Sequence, residues 1–315
     1  MKKKKLLSLL LTLVVIISMI PINSSAATVP SLDAPVTKEN VLALLNAYDR
    51  EGAFMVKYGT EYGTSWLGYY SENQKLMDGL DTVVHEECHD FSRVSGNAER
   101  MYLGRNNYVT IPFTDIFLSK EMVKSVPKRC QTSRFSTYIS HPSENLASNV
   151  DGIYGLINEF VAYGWGMHNN ISMYPYHDNF NDDMNTWGSF IMNGASNRLA
   201  YAEFKYYILH YLYYAKKHHP DIYRQLISNK ELRTVYRKSE KQFANLIKSY
   251  ENDLSQISDK IGNNGYKVYY TADYFIVRDK SGSVSGMGLL NDEYSVLITE
   301  LKKAPYQVLH KALSK

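Results

Sequence analysis

Apolar residues along this chain recur mainly at three- and four-residue steps, the spacing that gives a helix one buried stripe. Leu76, Leu80, Val83, Val84 and Phe91 form such a stripe, with no Pro and no Gly after Gly79, which predicts a helix reaching Phe91. Gly79 weakens its first turns, so Asp81 is the expected N-cap. Thr37 is placed to cap an earlier helix through Asp49, with Val41, Leu42, Leu44 and Leu45 on its apolar side. Residues 156–163 read as an apolar helix interrupted only by Asn158 and Glu159. Farther along, helices are expected over 197–217, 231–261 and 292–303, with a short one over 221–228. His218, His219 and Pro220 end the first of these, and the two histidines suit the negative end of its dipole.

Alternation is rarer. The runs Arg100–Tyr102 and Tyr108–Pro112 flank Gly104-Arg105-Asn106-Asn107 and predict a hairpin. Pro112 confines its second strand to a sheet edge, where an extended peptide pairs with main chain; an ordinary hairpin is the equal alternative. Residues 266–270 and 274–278 predict a second hairpin. Residues 28–36 read as an exposed arm, 51–68 as irregular or partly extended, and 120–134 as helix followed by loop. Residues 165–185 read as a loop, either surface or cleft wall; Phe180 stands where a calcium loop needs an oxygen ligand. The pattern as a whole predicts an α+β fold, predominantly helical, with a small mixed sheet and one domain over 28–315.

The first 27 residues change how composition is read. Lys2 to Lys5, the uncharged run from Leu6 to Ile20, and Ser25 and Ala27 make a basic, apolar and small-residue series. That series predicts a signal peptide over 1–27 and a secreted protein without stable membrane insertion. Its removal leaves 31 basic against 32 acidic residues, a net charge of −1, in place of +3 for the whole chain. The basic balance therefore belongs to the export segment, and no nucleic-acid partner is expected. The 27 tyrosines suit a surface and cleft rich in amphipathic rings. Cys88 and Cys130 are the two cysteines. Export permits a bridge between them, but Cys88 shares a helix face with Val84 and Phe91 and reads first as a small buried residue.

The chemistry concentrates in Val84-His85-Glu86-Glu87-Cys88-His89, an H-E-x-x-H run. On a helix, residues four apart stand on one face, so His85 and His89 can grip one metal ion and Glu86 can serve a water beside it as base. A carboxylate between Ile157, Phe160, Val161 and Ala162 is costly to bury unless a cation compensates it, which makes Glu159 the expected third ligand. Should it fail, His168 or His177 is next. Two imidazoles and a carboxylate suit Zn2+, one per chain, with the fourth position for water. Glu86 is then the catalytic base. The oxyanion needs a further donor; Tyr154 is preferred, with Tyr163 as the alternative and with a ligand-orienting role also open to it.

His85-Glu86-x-x-His89 with a later helical glutamate resembles a gluzincin-type zinc metallopeptidase. The resemblance implies a zincin-like fold, zinc on His85, His89 and Glu159, and Glu86 as base. The Tyr-Gly…Glu-Phe-x-Ala run from Tyr154 to Ala162 is similar to the lethal-factor and Pro-Pro endopeptidase group, where a tyrosine precedes the glutamate ligand. Two features depart from the gluzincin pattern: the long gap from His89 to Glu159, and Tyr163 where an acidic residue is common. The expectation is a secreted zinc peptidase acting on a peptide or protein substrate. The alternative is a non-catalytic zincin-like binding or cell-envelope interaction protein.

Overall fold

The structure, a computed structural model, describes residues 29–61, 66–71, 74–141, 145–179 and 184–315; the expected signal peptide over 1–27 lies outside the described residues. The chain is predominantly helical with two small sheets, an α+β arrangement. Helix α1 (Lys38–Tyr48) begins where Thr37 accepts a hydrogen bond from the Asn40 amide at 3.2 Å, as the spacing predicts. Asp49 then starts α2 (Arg50–Glu61) by accepting from the Gly52 amide at 3.0 Å. This helix replaces the first part of the irregular stretch expected over 51–68, of which 62–65 lie outside the described residues; the capping carboxylate outweighs the weak propensity of its Gly and Tyr residues.

Helix α3 (Leu80–Ser92) carries the H-E-x-x-H run, and Leu80, Val83, Val84, Cys88 and Phe91 form its buried side. Its N-cap is Gly79, not Asp81: Asp81 lies inside the first turn and accepts from Thr82 and from two asparagines of a distant helix. Strands β1 (Ala98–Gly104) and β2 (Asn107–Pro112) form the expected hairpin, pairing antiparallel with Tyr102 opposite Tyr108. Arg105 and Asn106 take φ of 52° and 56°, the left-handed pair that matches a two-residue turn to strand twist. Residues 119–130 hold two 3-10 turns in place of the helix expected from residue 120.

Helix α4 (Ile153–Ser172) is the centre of the molecule, packed against α3 on one side and against α5 (Met184–His218) and α7 (Lys230–Asn263) on others. It runs well past residue 163, and a short helix, Tyr174–Asn179, follows, so the described part of 165–185 is helical rather than a loop. Several polar residues of this stretch point inward, His177 among them, while Asp182 and Asp183 lie outside the described residues. Asn169 donates to the buried Asp49 at 2.9 Å and Asn170 to the Phe190 carbonyl at 3.1 Å. Helix α6 (Pro220–Ser228) connects α5 to α7.

Strands β3 (Lys267–Tyr270), β4 (Tyr274–Arg278) and β5 (Val284–Gly288) form an antiparallel sheet in that order, one strand more than the expected hairpin. Both sheets are antiparallel, so the expected mixed sheet is not formed among the described residues. Helices α8 (Asn291–Leu301) and α9 (Ala304–Leu313) pack on α5. Many tyrosines lie in the core rather than on the surface: Tyr176, Tyr211 and Tyr250 are fully buried, each donating its hydroxyl to a backbone carbonyl. Gly194 lets α5 and α7 approach, since a Cβ there would fall 2.1 Å from the Tyr250 ring. No helix among the described residues is long and apolar enough to cross a membrane.

Candidate metal centre

His85 and His89 stand one turn apart on the face of α3 that meets α4, and α4 brings Glu159 to them. The two imidazole Nε2 atoms are 3.1 Å apart, and Glu159 Oε2 lies 3.7 Å from the first and 3.5 Å from the second. Ligands about 2.0–2.1 Å from a tetrahedral zinc stand about 3.3 Å from one another, so these separations fit three corners of such a site. Glu159 Oε2 is buried and has no hydrogen-bond partner among the described residues. An acceptor stranded in that way beside two imidazole nitrogens matches a cation-binding donor set. The group His85, His89 and Glu159 could therefore hold a metal ion.

The surrounding groups fix which nitrogen is offered. Asn158 precedes Glu159 on α4, and its amide nitrogen donates to Ser92 Oγ at 2.7 Å and to Glu99 at 2.9 Å. Its oxygen is thus left to accept from His89 Nδ1, which turns the Nε2 lone pair toward Glu159 and His85. Ser92 completes the brace by donating to the His89 carbonyl at 2.6 Å. On His85, burial and then the charge of His89 hold the imidazole well below its ordinary value, so it is neutral and free to ligate. His89 behaves otherwise in the metal-free chain: burial opposes its charge, but the Glu159 carboxylate raises it to about 9. A proton on His89 then occupies part of the role a metal ion would take.

Glu86 opens into a cleft of about 240 Å³ alongside His85. Burial pushes its carboxyl up, Glu159 and Asp90 push the same way, and His89 opposes them. Across the cleft are Tyr163 from α4 and Tyr138, their hydroxyls 3.0 Å apart. The Tyr163 ring packs edge-on to His85 with centroids 4.3 Å apart, and the Arg134 guanidinium lies over its other side at 4.7 Å. Arg134 is itself anchored by the buried Glu203 at 2.9 Å and by Ser196 at 2.6 Å.

Tyr154, the preferred oxyanion donor from sequence, stands elsewhere. Its ring is fully buried and stacked on Phe113, and its hydroxyl is engaged by Thr114 and Asn229. A hydroxyl so enclosed lies away from the cleft, whose tyrosines are Tyr163 and Tyr138. His168 pairs with Asp49 at 3.3 Å, and His177 is buried against Trp187, so neither reserve ligand joins the cluster. The β1–β2 hairpin lines none of the cleft and instead gives Glu99 to Asn158. Cys88 and Cys130 are both free and buried, and burial pushes the Cys88 thiol up, away from the thiolate a ligand needs.

Sequence reasoning missed Asn158, Glu99, Tyr138, Arg134 and the α5 asparagines. Asn158 alone left a signal, as the second polar residue in an otherwise apolar run. The rest come from segments with no motif. No protein-family model, curated protein or solved structure matches the chain.

Proposed function

We propose that the chain is a zinc-dependent peptidase with a zincin-like active site, exported by its N-terminal segment. The observation that carries this reading is the trio of donor atoms on His85, His89 and Glu159, with Glu86 and His85 both opening into one cleft. A zinc ion held by that trio would supply Lewis acidity to a water and to the carbonyl under attack.

The chain's own groups do the rest. Glu86 takes a proton from the attacking water, whose oxygen bonds to the carbonyl carbon, and delivers that proton to the nitrogen as the C–N bond breaks. Tyr163 and Tyr138 present hydroxyls where negative charge gathers on the carbonyl oxygen. The Arg134 guanidinium above Tyr163 favours donation by that hydroxyl. Asn158, held by Ser92 and Glu99, keeps His89 in the tautomer that offers Nε2.

The test is a peptide-cleavage assay of zinc-loaded protein and its Glu86→Gln variant. The variant should keep about one zinc per chain and lose hydrolysis by roughly 10²–10⁴-fold, the usual contribution of a positioned base. Equal cleavage by the two proteins removes Glu86 from the chemistry. Zinc retention without cleavage of any peptide by the parent favours a binding role for the fold.

A further inference from the structure

One end of the cleft is built around the carboxylate of Asp81, one helical turn before His85. Asp81 accepts from its neighbour Thr82 at 2.9 Å, from Asn193 at 3.2 Å and from Asn197 at 3.3 Å, the last two reaching across from α5. These are neutral, and the two side-chain contacts are long. Several other carboxylates of the fold are given a cation: Glu203 has Arg134, Glu300 has Arg129 and Lys303, and the part-buried Glu240 has Lys205. Asp81 has none among the described residues. Glu87 and Glu99 lack one too, but neither lines the cleft, whereas Asp81 does. The nearest guanidinium on the cleft wall, Arg134, is already committed to Glu203 and Ser196. Burial with so little compensation pushes the Asp81 carboxyl up to about 6.

We propose that the Asp81 end of the cleft is the subsite for a cationic amine on the substrate, a lysine side chain flanking the scissile bond. This rests on the peptidase reading above. The ammonium supplies the missing cation at the Asp81 carboxylate, whose oxygens the amide groups of Asn193 and Asn197 hold in place. Length selects lysine over an N-terminal amine. Asp81 lies about 6 Å along the helix axis from His85. A lysine stem spans about that distance. An α-ammonium sits next to the reacting carbonyl and stops short of it.

The experiment compares N-acetylated quenched-fluorescent peptides that differ only in lysine or norleucine beside the cleaved bond, using zinc-loaded parent, Asp81→Asn and Asn193→Lys. A third peptide set keeps norleucine but frees the N-terminus. The parent should favour lysine roughly tenfold or more in kcat/KM, the scale of a charged hydrogen bond. Asp81→Asn should bring that ratio close to one. Asn193→Lys supplies an ammonium from the protein itself, so it should lose the preference while melting no lower than the parent, which separates an occupied subsite from a misfolded one. A parent ratio near one, a preference that survives in both variants, or a preference carried by the free N-terminus overturns the proposal.

Binding of the same acetylated peptides to zinc-loaded Glu86→Gln keeps the two readings apart. Lysine-selective binding that needs Asp81, with no cleavage by the parent, upholds the subsite and sinks the peptidase. Cleavage without lysine selectivity does the reverse.

Discussion

Glu203 on α5 and Glu159 on α4 are both carboxylates set in apolar helices, and the fold surrounds them differently. Glu203 is 0 % exposed and receives the Thr132 hydroxyl at 2.7 Å, the Arg134 amide at 2.9 Å and the Arg134 guanidinium at 2.9 Å. Glu159 faces two imidazole nitrogens at 3.7 and 3.5 Å and has no closer partner for that oxygen among the described residues. The first is a finished ion pair whose task is to hold Arg134 against the cleft. The second is an acceptor set in which a proton on His89 stands where a metal ion could sit. Burial alone therefore does not mark a candidate ligand; the two imidazole nitrogens beside Glu159 do.

Removing each carboxylate separates the two cases most sharply. Glu203→Ala should destabilise the protein by about 3–5 kcal/mol, because it strands the guanidinium of Arg134, whose side chain is 14 % exposed. Chelator should leave that loss unchanged. Glu159→Ala should melt close to the parent in the presence of chelator and lose the rise in melting temperature that zinc gives the parent. That rise corresponds to about 4 kcal/mol at a thousandfold excess over Kd. Thermal melts of both variants, with and without zinc, check the pair; zinc stabilisation of Glu159→Ala equal to the parent's would break the distinction.

His210 extends the comparison to histidines. It is buried and satisfied inside the fold by Ser125 at 2.9 Å and Tyr306 at 2.9 Å, and burial holds it down at about 4 from an ordinary 6.5. Below pH 6.5 the unfolded chain takes a proton that the folded chain refuses, so this group's contribution is complete above 6.5 and is lost as pH falls toward 4. The stability advantage of the parent over His210→Gln should shrink by on the order of 2–3 kcal/mol between pH 7 and pH 4.5. Urea titrations at the two pH values read it directly.

The smallest effect belongs to the brace behind the site. Asn158→Ala keeps all three ligands but frees His89 Nδ1, and zinc affinity should fall about 10–100-fold in competition with a chelating dye. An unchanged affinity would mean that α3 alone orients His89.

The local pattern was enough for α1, for α3 with its paired histidines, for the β1–β2 hairpin and for the cores of α5 and α7, because each depends on spacing within one segment. It was enough for Glu159 as well, since a lone carboxylate among Ile157, Phe160 and Val161 is an energetic anomaly visible in the letters. The pattern misled where polar residues face inward. Asn169 and Asn170 read as loop because their partners, Asp49 and the Phe190 carbonyl, belong to other segments. Tyr154 was preferred over Tyr163 on order along the chain, yet only packing decides which ring is enclosed by Phe113 and which faces His85.

By itself, then, the sequence determined a mostly helical chain that sets His85, Glu86 and His89 on one helix and Glu159 on another. Tertiary structure alone decided that Glu159 meets both imidazoles, that Asn158 and not a carboxylate orients His89, and that Arg134, Tyr138 and Asp81 share one cleft. Those groups come from segments up to 78 residues apart (Asp81 to Glu159), and no local periodicity encodes a distance between segments; only the packing of the helices around one core brings them together.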